Sequence, residues 1–133
     1  MDQKDIARRW VEMLASGDLS QWNELARADL VMEAPFSPPG LFATTVGTQA
    51  CRDNVVKFFS AMQSFEWHDI DILRTEDPDL IFGTARSKAT TLTNESYVNR
   101  YCFIVMLKDG KVQKYVEYFN PLPVMEAFKA FLN

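Results

Sequence analysis

From Glu66 onward, through Asn120, the pattern of the chain changes to a period of two. Successive side chains of a strand point to opposite faces, so this stretch calls for a sheet with one covered face. It divides into four strands, Trp67 to Thr75, Leu80 to Thr91, Tyr97 to Leu107 and Lys111 to Asn120. Two of the connections are short. Asp77-Pro78-Asp79 is one, and Lys108-Asp109-Gly110-Lys111 is the other, with the Asp-Gly pair that favours a two-residue hairpin. Pro121 and Pro123 end the last strand, because proline cannot donate to a ladder. The order of these strands predicts an antiparallel meander whose apolar face must be covered by helices.

The first half supplies them. Residues 3–16 carry Ile6, Trp10, Met13 and Leu14 at helical spacing, and Gly17 provides a stop. Asp18 or Ser20 can cap a second helix running through about Ala28, with Trp22, Leu25 and Ala26 on its buried side. Leu30 to Phe36 reads as a strand, Ser37-Pro38-Pro39-Gly40 as a turn, and Thr44 to Val46 as a short strand. Thr48 caps a third helix from about Gln49 to Met62, with Val55, Phe58, Phe59 and Met62 as its stripe. Leu122 to Phe131 forms a short closing helix. Helices, a short hairpin, a helix and a long meander make one α+β domain spanning residues 1–133. A strongly curved sheet folded over about three helices is a cone, and a cone has a cavity.

Composition narrows the ligands. Ten Phe, four Tyr and three Trp are a heavy aromatic load for 133 residues, suited to shaping an apolar cavity. The net charge of −4 and the absence of Lys/Arg runs argue against nucleic acid, which needs clustered cations. No apolar stretch approaches ~18 residues, so no membrane span is expected. The charged N-terminus MDQKDIARRW lacks an apolar signal core, which points to the cytoplasm. Cys51 and Cys102 fit no disulfide framework, and the single His68 argues against a zinc site. No metal, nucleotide or redox cofactor is implied.

Five stretches carry a family resemblance. They are Ala15-Ser-Gly-Asp-Leu19, Val31-Met-Glu-Ala-Pro-Phe36, Phe65-Glu-Trp-His-Asp69, Tyr97-Val-Asn-Arg-Tyr101, and Asp109-Gly-Lys-Val112 leading to Glu117-Tyr-Phe-Asn-Pro121. In this order and spacing the chain resembles the nuclear transport factor 2-like superfamily, in its SnoaL-like, ketosteroid isomerase-related branch. The stretch from Phe65 to Asn120 is similar to the phenazine-biosynthesis A/B proteins. The resemblance implies a conical, cystatin-like fold, a homodimer and a pocket for a hydrophobic small molecule. It does not fix a reaction, since one fold hosts many chemistries.

The resemblance also chooses faces. On the last strand Tyr115, Glu117 and Phe119 share a side, and a pocket aromatic at the position of Phe119 in ketosteroid isomerases turns that side inward. The matching Glu of the phenazine A/B proteins is a functional acid, which makes Glu117 the candidate catalytic group. A carboxyl in an apolar cavity has a raised pKa and can act near neutral pH. Structural alternatives pair it with Arg100, Lys114 or a tyrosine hydroxyl. Tyr97, Asn99, Tyr101 and Phe103 match the pocket side of the preceding strand. Trp10, Met32, Ala34, Phe36, Asn54, Phe58 and Tyr115 complete the expected ligand-binding set. Arg100 and Ile104 fall on the outer face, the expected dimer contact, unless a bulge turns Arg100 toward Glu117. Glu33 alternates to the outside, and His68 reads as structural, with a near-neutral pKa that keeps it eligible for chemistry.

Departures limit what is inherited. Ketosteroid isomerases carry a Tyr, a basic Asp and an acidic Asp where this chain has Trp10, Ala34 and Phe103. The assisting His of the phenazine A/B proteins corresponds to Asn54. Three classes of function follow. The first is an acid/base enzyme acting on a hydrophobic carbonyl compound through Glu117, by isomerisation, cyclisation, dehydration or condensation. The second is a binding module for a hydrophobic metabolite. The third is an interaction domain using the exposed sheet face.

Overall fold

The computed structural model describes residues 1–39, 41 and 43–129. Helix α1, Gln3–Ser16, starts at a capping box in which the Asp2 side chain accepts from the Asp5 backbone and Asp5 answers. It ends where Gly17 takes φ 76 and donates back to the Met13 carbonyl at 3.0 Å. Ile6, Ala7, Trp10, Val11, Met13 and Leu14 form its buried side.

The second helix, α2, is a single turn, Trp22–Leu25, rather than a run to Ala28. Ala26 is already extended and pairs with Val112, so strand β1, Ala26–Glu33, begins before Leu30 and stops before Phe36. Strand β2 is Thr44–Val46 and helix α3 is Thr48–Ser60. Thr48 is not the cap of α3. Its hydroxyl accepts the Trp22 indole N–H at 2.8 Å, and Gly47, at φ 96, occupies the cap position. Strand β3, Met62–Arg74, starts five residues ahead of Trp67, because Met62 pairs with Thr91 at the far end of the next strand. Strands β4, Leu80–Thr91, β5, Ser96–Lys108, and β6, Lys111–Phe119, follow as the alternation predicts. Asp109 and Gly110 take φ 53 and φ 76, the paired positive values of a tight hairpin. The Asn120 side chain caps α4, Pro121–Ala127, whose expected extension to Phe131 runs beyond the described residues.

The six strands form one curved sheet in the order β2-β1-β6-β5-β4-β3. Among the described residues only β1 and β6 run parallel. Helix α1 lies against β3, α3 against β1 and α4 against β5. The larger core joins α1 and α2 to the sheet through Trp10, Trp22, Leu30, Ile81, Phe103 and Tyr115. Gly83 makes room for it, since a Cβ there would stand 2.3 Å from the Phe103 ring and 2.6 Å from the Asp71 carbonyl. A smaller core gathers Ala89, Tyr97, Val124, Ala127 and Phe128. Among the described residues no helix is long and apolar enough to cross a membrane.

Candidate functional site

Both cores contribute to the wall of a cavity of about 420 Å³, within the range of small-molecule sites. Met32 and Ala34 line it from the end of β1, Asn54 and Phe58 from α3, Tyr97 and Tyr101 from β5, and Tyr115, Glu117 and Phe119 from β6. The inward side of β6 is the side carrying Glu117.

Four expected wall residues lie elsewhere. Trp10 is wholly buried in the larger core, 5.0 Å between ring centroids from Trp22 and 6.0 Å from Tyr115. Phe103 sits over Gly83 and is equally buried. Phe36 is 55% exposed and meets Tyr118 edge-on, because β1 has ended at Glu33 and its alternation no longer governs position 36. Asn99 is buried, but its amide is taken up by its own strand and by Asn120 at the cap of α4. Its Oδ1 accepts the backbone N–H groups of Arg100 and Asn120 at 2.8 and 3.0 Å. Its Nδ2 donates to the Tyr97 hydroxyl and the Asn120 carbonyl, each at 2.9 Å.

Glu33, expected outside, belongs to the cavity lining, while its carboxylate pairs with Lys114 at 3.2 Å. Phe65, Trp67 and Phe128 are wall residues that the sequence reading did not assign. The signal for the first two was the β3 alternation itself, with Phe65 and Trp67 inward and Glu66 and His68 exposed. His68 pairs with Asp69 at 3.3 Å and takes no part in the cavity lining. The bulge at Asp69 lies on β3, and β5 stays regular around Arg100, which remains on the outer side opposite Arg86.

Glu117 lines the cavity from β6. Of the partners weighed for it, the tyrosine hydroxyl is the one present, with Tyr115 Oη donating to Oε1 at 2.8 Å. The residue is partly open to the cavity, yet its carboxyl lies deep among aromatic rings. Burial pushes its pKa from 4.5 to about 7, against the opposing pull of the Tyr115 hydrogen bond. Among the described residues no cation contributes to the shift. Burial likewise raises Tyr115 well above its usual value, and Tyr97 is pushed up to about 12.

A second polar line runs beside it. Tyr97 and Tyr101 hydroxyls lie 3.1 Å apart, and Tyr101 lies 2.8 Å from Ser87 Oγ. The Trp67 ring stacks on Tyr101 with centroids 4.7 Å apart. Across the cavity Asn54 donates to the Thr45 hydroxyl at 2.8 Å. Among the described residues no cluster of three His, Cys, Asp or Glu could hold a metal ion.

The fold is of the nuclear transport factor 2-like kind. The SnoaL-like domain model matches residues 7–115, and the chain belongs to that family. It is 26% identical over 128 residues to an uncharacterised PhzA/B-like protein of Pseudomonas aeruginosa, covering 96% of this chain and 90% of that one. Its fold matches a Bacillus subtilis crystal structure provisionally described as an isomerase, with TM-score 0.84, 24% identity and full coverage of both chains. An NTF2-like protein from Burkholderia xenovorans matches with TM-score 0.78 and 16% identity, covering 96% of this chain and 97% of that one.

Proposed function

We propose that the protein is an acid/base enzyme that moves a proton next to the carbonyl group of a hydrophobic small molecule, with Glu117 as the proton carrier. The observation that carries this reading is the Glu117 carboxyl, held at about neutral pKa in an aromatic cavity and oriented by Tyr115. A general acid or base works best when its pKa lies near the working pH. Isomerisation, cyclisation, dehydration and condensation all fit, and none of them requires a cofactor. The provisional naming of a structural neighbour as an isomerase agrees with this class. True ketosteroid isomerase chemistry does not fit, because Trp10 and Phe103 are core residues and Ala34 cannot titrate.

A second reading is binding without turnover. It is favoured by one observation: Asn54, which lines the same cavity, is an amide and cannot share proton transfer with Glu117. Native mass spectrometry of freshly purified protein is expected to show a co-purified hydrophobic carbonyl compound. A compound that is recovered unchanged after incubation supports the binding reading, and conversion supports the enzyme.

The outer sheet face carries Val98, 55% exposed, and the half-buried Phe82, Ile104 and Met106. We infer a homodimer through this face, with Arg100 at its edge. Light scattering at micromolar concentration is expected to give twice the chain mass, and a monomer there would remove the proposal.

A further inference from the structure

The polar line beside Glu117 has a hydrogen to spare. The Asn99 amide cannot be flipped, because its oxygen already accepts two backbone N–H groups. Its nitrogen must therefore donate to Tyr97 Oη, and Tyr97 must place its own hydrogen elsewhere. Beyond it, Tyr97, Tyr101 and Ser87 are three hydroxyls joined by two links. Three hydrogens are available and the links use two. The third falls on Ser87, on Tyr101 or on Tyr97, according to the direction in which each link points.

Those three ends are not equivalent. Tyr97 and Tyr101 line the cavity. Ser87 does not, and it is 2% exposed. Ser87 instead borders a separate depression lined by His68, Arg86 and Asn99, and among the described residues its Oγ has no side-chain partner except Tyr101. A hydrogen left on Ser87 is thus buried without a side-chain acceptor, which is costly. A hydrogen left on either tyrosine faces the space a ligand would fill. There the donating hydroxyl is itself receiving two hydrogen bonds, which polarise it and strengthen the bond it gives.

We propose that Tyr97 and Tyr101 act as one donor, giving a single O–H to a carbonyl oxygen of the bound molecule, with Ser87 competing for that hydrogen from behind the cavity wall. The proposal rests on the reading of the cavity as the binding site and names the ligand class it selects: a ketone, aldehyde or ester. It also separates roles. The two tyrosines touch the ligand, whereas Asn99 and Ser87 are positioning residues that act through them.

A matched pair of probes tests it, 2-acetylnaphthalene against 2-ethylnaphthalene, which differ by the carbonyl oxygen. The ketone is expected to bind about fivefold more tightly than the hydrocarbon, the worth of one net hydrogen bond. Its infrared carbonyl stretch, followed with a ¹³C label, is expected to move to lower frequency on binding. The double variant Tyr97→Phe with Tyr101→Phe should bind both probes equally and lose the frequency shift. Hydrocarbon affinity serves as the control that the wall is intact. Ser87→Ala removes the competing end, so the ketone preference should persist or rise by up to about threefold, with the shift retained. Equal binding of the probes by the unaltered protein, a preference surviving in the double variant, or a preference lost in Ser87→Ala would each overturn the proposal while leaving the cavity reading in place. Failure of both probes to bind the unaltered protein would overturn the two together.

Discussion

Replacing Glu117 with Gln is expected to stabilise the protein at alkaline pH and to cut turnover by orders of magnitude while leaving ligand binding intact. The stability effect follows from the raised pKa. The folded-state value of about 7 lies above the ordinary 4.5 of an exposed carboxyl. Between these values the folded state holds a proton that the unfolded chain has lost. Stability from this group is therefore fully present below about pH 4.5 and falls as pH rises toward and past 7. The shift converts to about 3 kcal/mol as an upper bound, and the opening of the cavity to solvent reduces it. Gln keeps the size and the acceptor for Tyr115 but never ionises. Its melting temperature should show a flatter dependence on pH across that window, measured by calorimetry in matched buffers. With the compound identified by mass spectrometry as substrate, turnover should fall by about 10²- to 10⁴-fold, the usual worth of a positioned acid or base. Unchanged turnover in the variant would move the chemistry away from Glu117.

The period-two stretch made β4, β5 and β6 legible almost to the residue, because β4 and β5 alternate buried and more exposed positions, the Asp109-Gly110 hairpin fixes the start of β6 and Pro121 fixes its end. The same alternation, together with the family resemblance, placed Glu117, Tyr97 and Tyr101 on the covered side, and they line the cavity. What sequence could not give was depth. Trp10, Tyr115 and Phe103 all lie on covered faces, yet only Tyr115 reaches the cavity. Which inward residues meet the empty space depends on where the helices stop short of the sheet, a tertiary matter with no local pattern. The start of β1 at Ala26 was hidden for a similar reason. Trp22, Leu25 and Ala26 fit a helix by spacing, and pairing of Ala26 with Val112, far along the chain, overrides it. Asn99 looked like a ligand group because it points inward. Its four hydrogen bonds go to Arg100 and Tyr97 on its own strand and twice to Asn120, and the last two depend on a residue far along the chain.

Trp10→Ala should be among the most damaging single changes, and its effect should fall on stability rather than on ligand choice. The indole is wholly buried between Trp22 and Tyr115, so truncation removes a large apolar group and leaves a void under α1. Such changes cost about 3–5 kcal/mol. For a domain of this size that corresponds to a fall of roughly 10–20 °C in melting temperature. Trp10→Phe should be far milder. The Trp10 Nε1 hydrogen is buried with no hydrogen-bond partner among the described residues, so the smaller ring loses packing but also sheds an unmet donor. The pair of variants therefore separates volume from polarity at one position. Tyr115 leans on Trp10 and donates to Glu117, so the alanine variant should also loosen the carboxyl's orientation, whereas the phenylalanine variant should hold it. Calorimetry gives the stability order, and titration of 2-ethylnaphthalene against the phenylalanine variant gives the site. Tightened or weakened probe binding in Trp10→Phe, with its stability unchanged, would place Trp10 against the ligand after all.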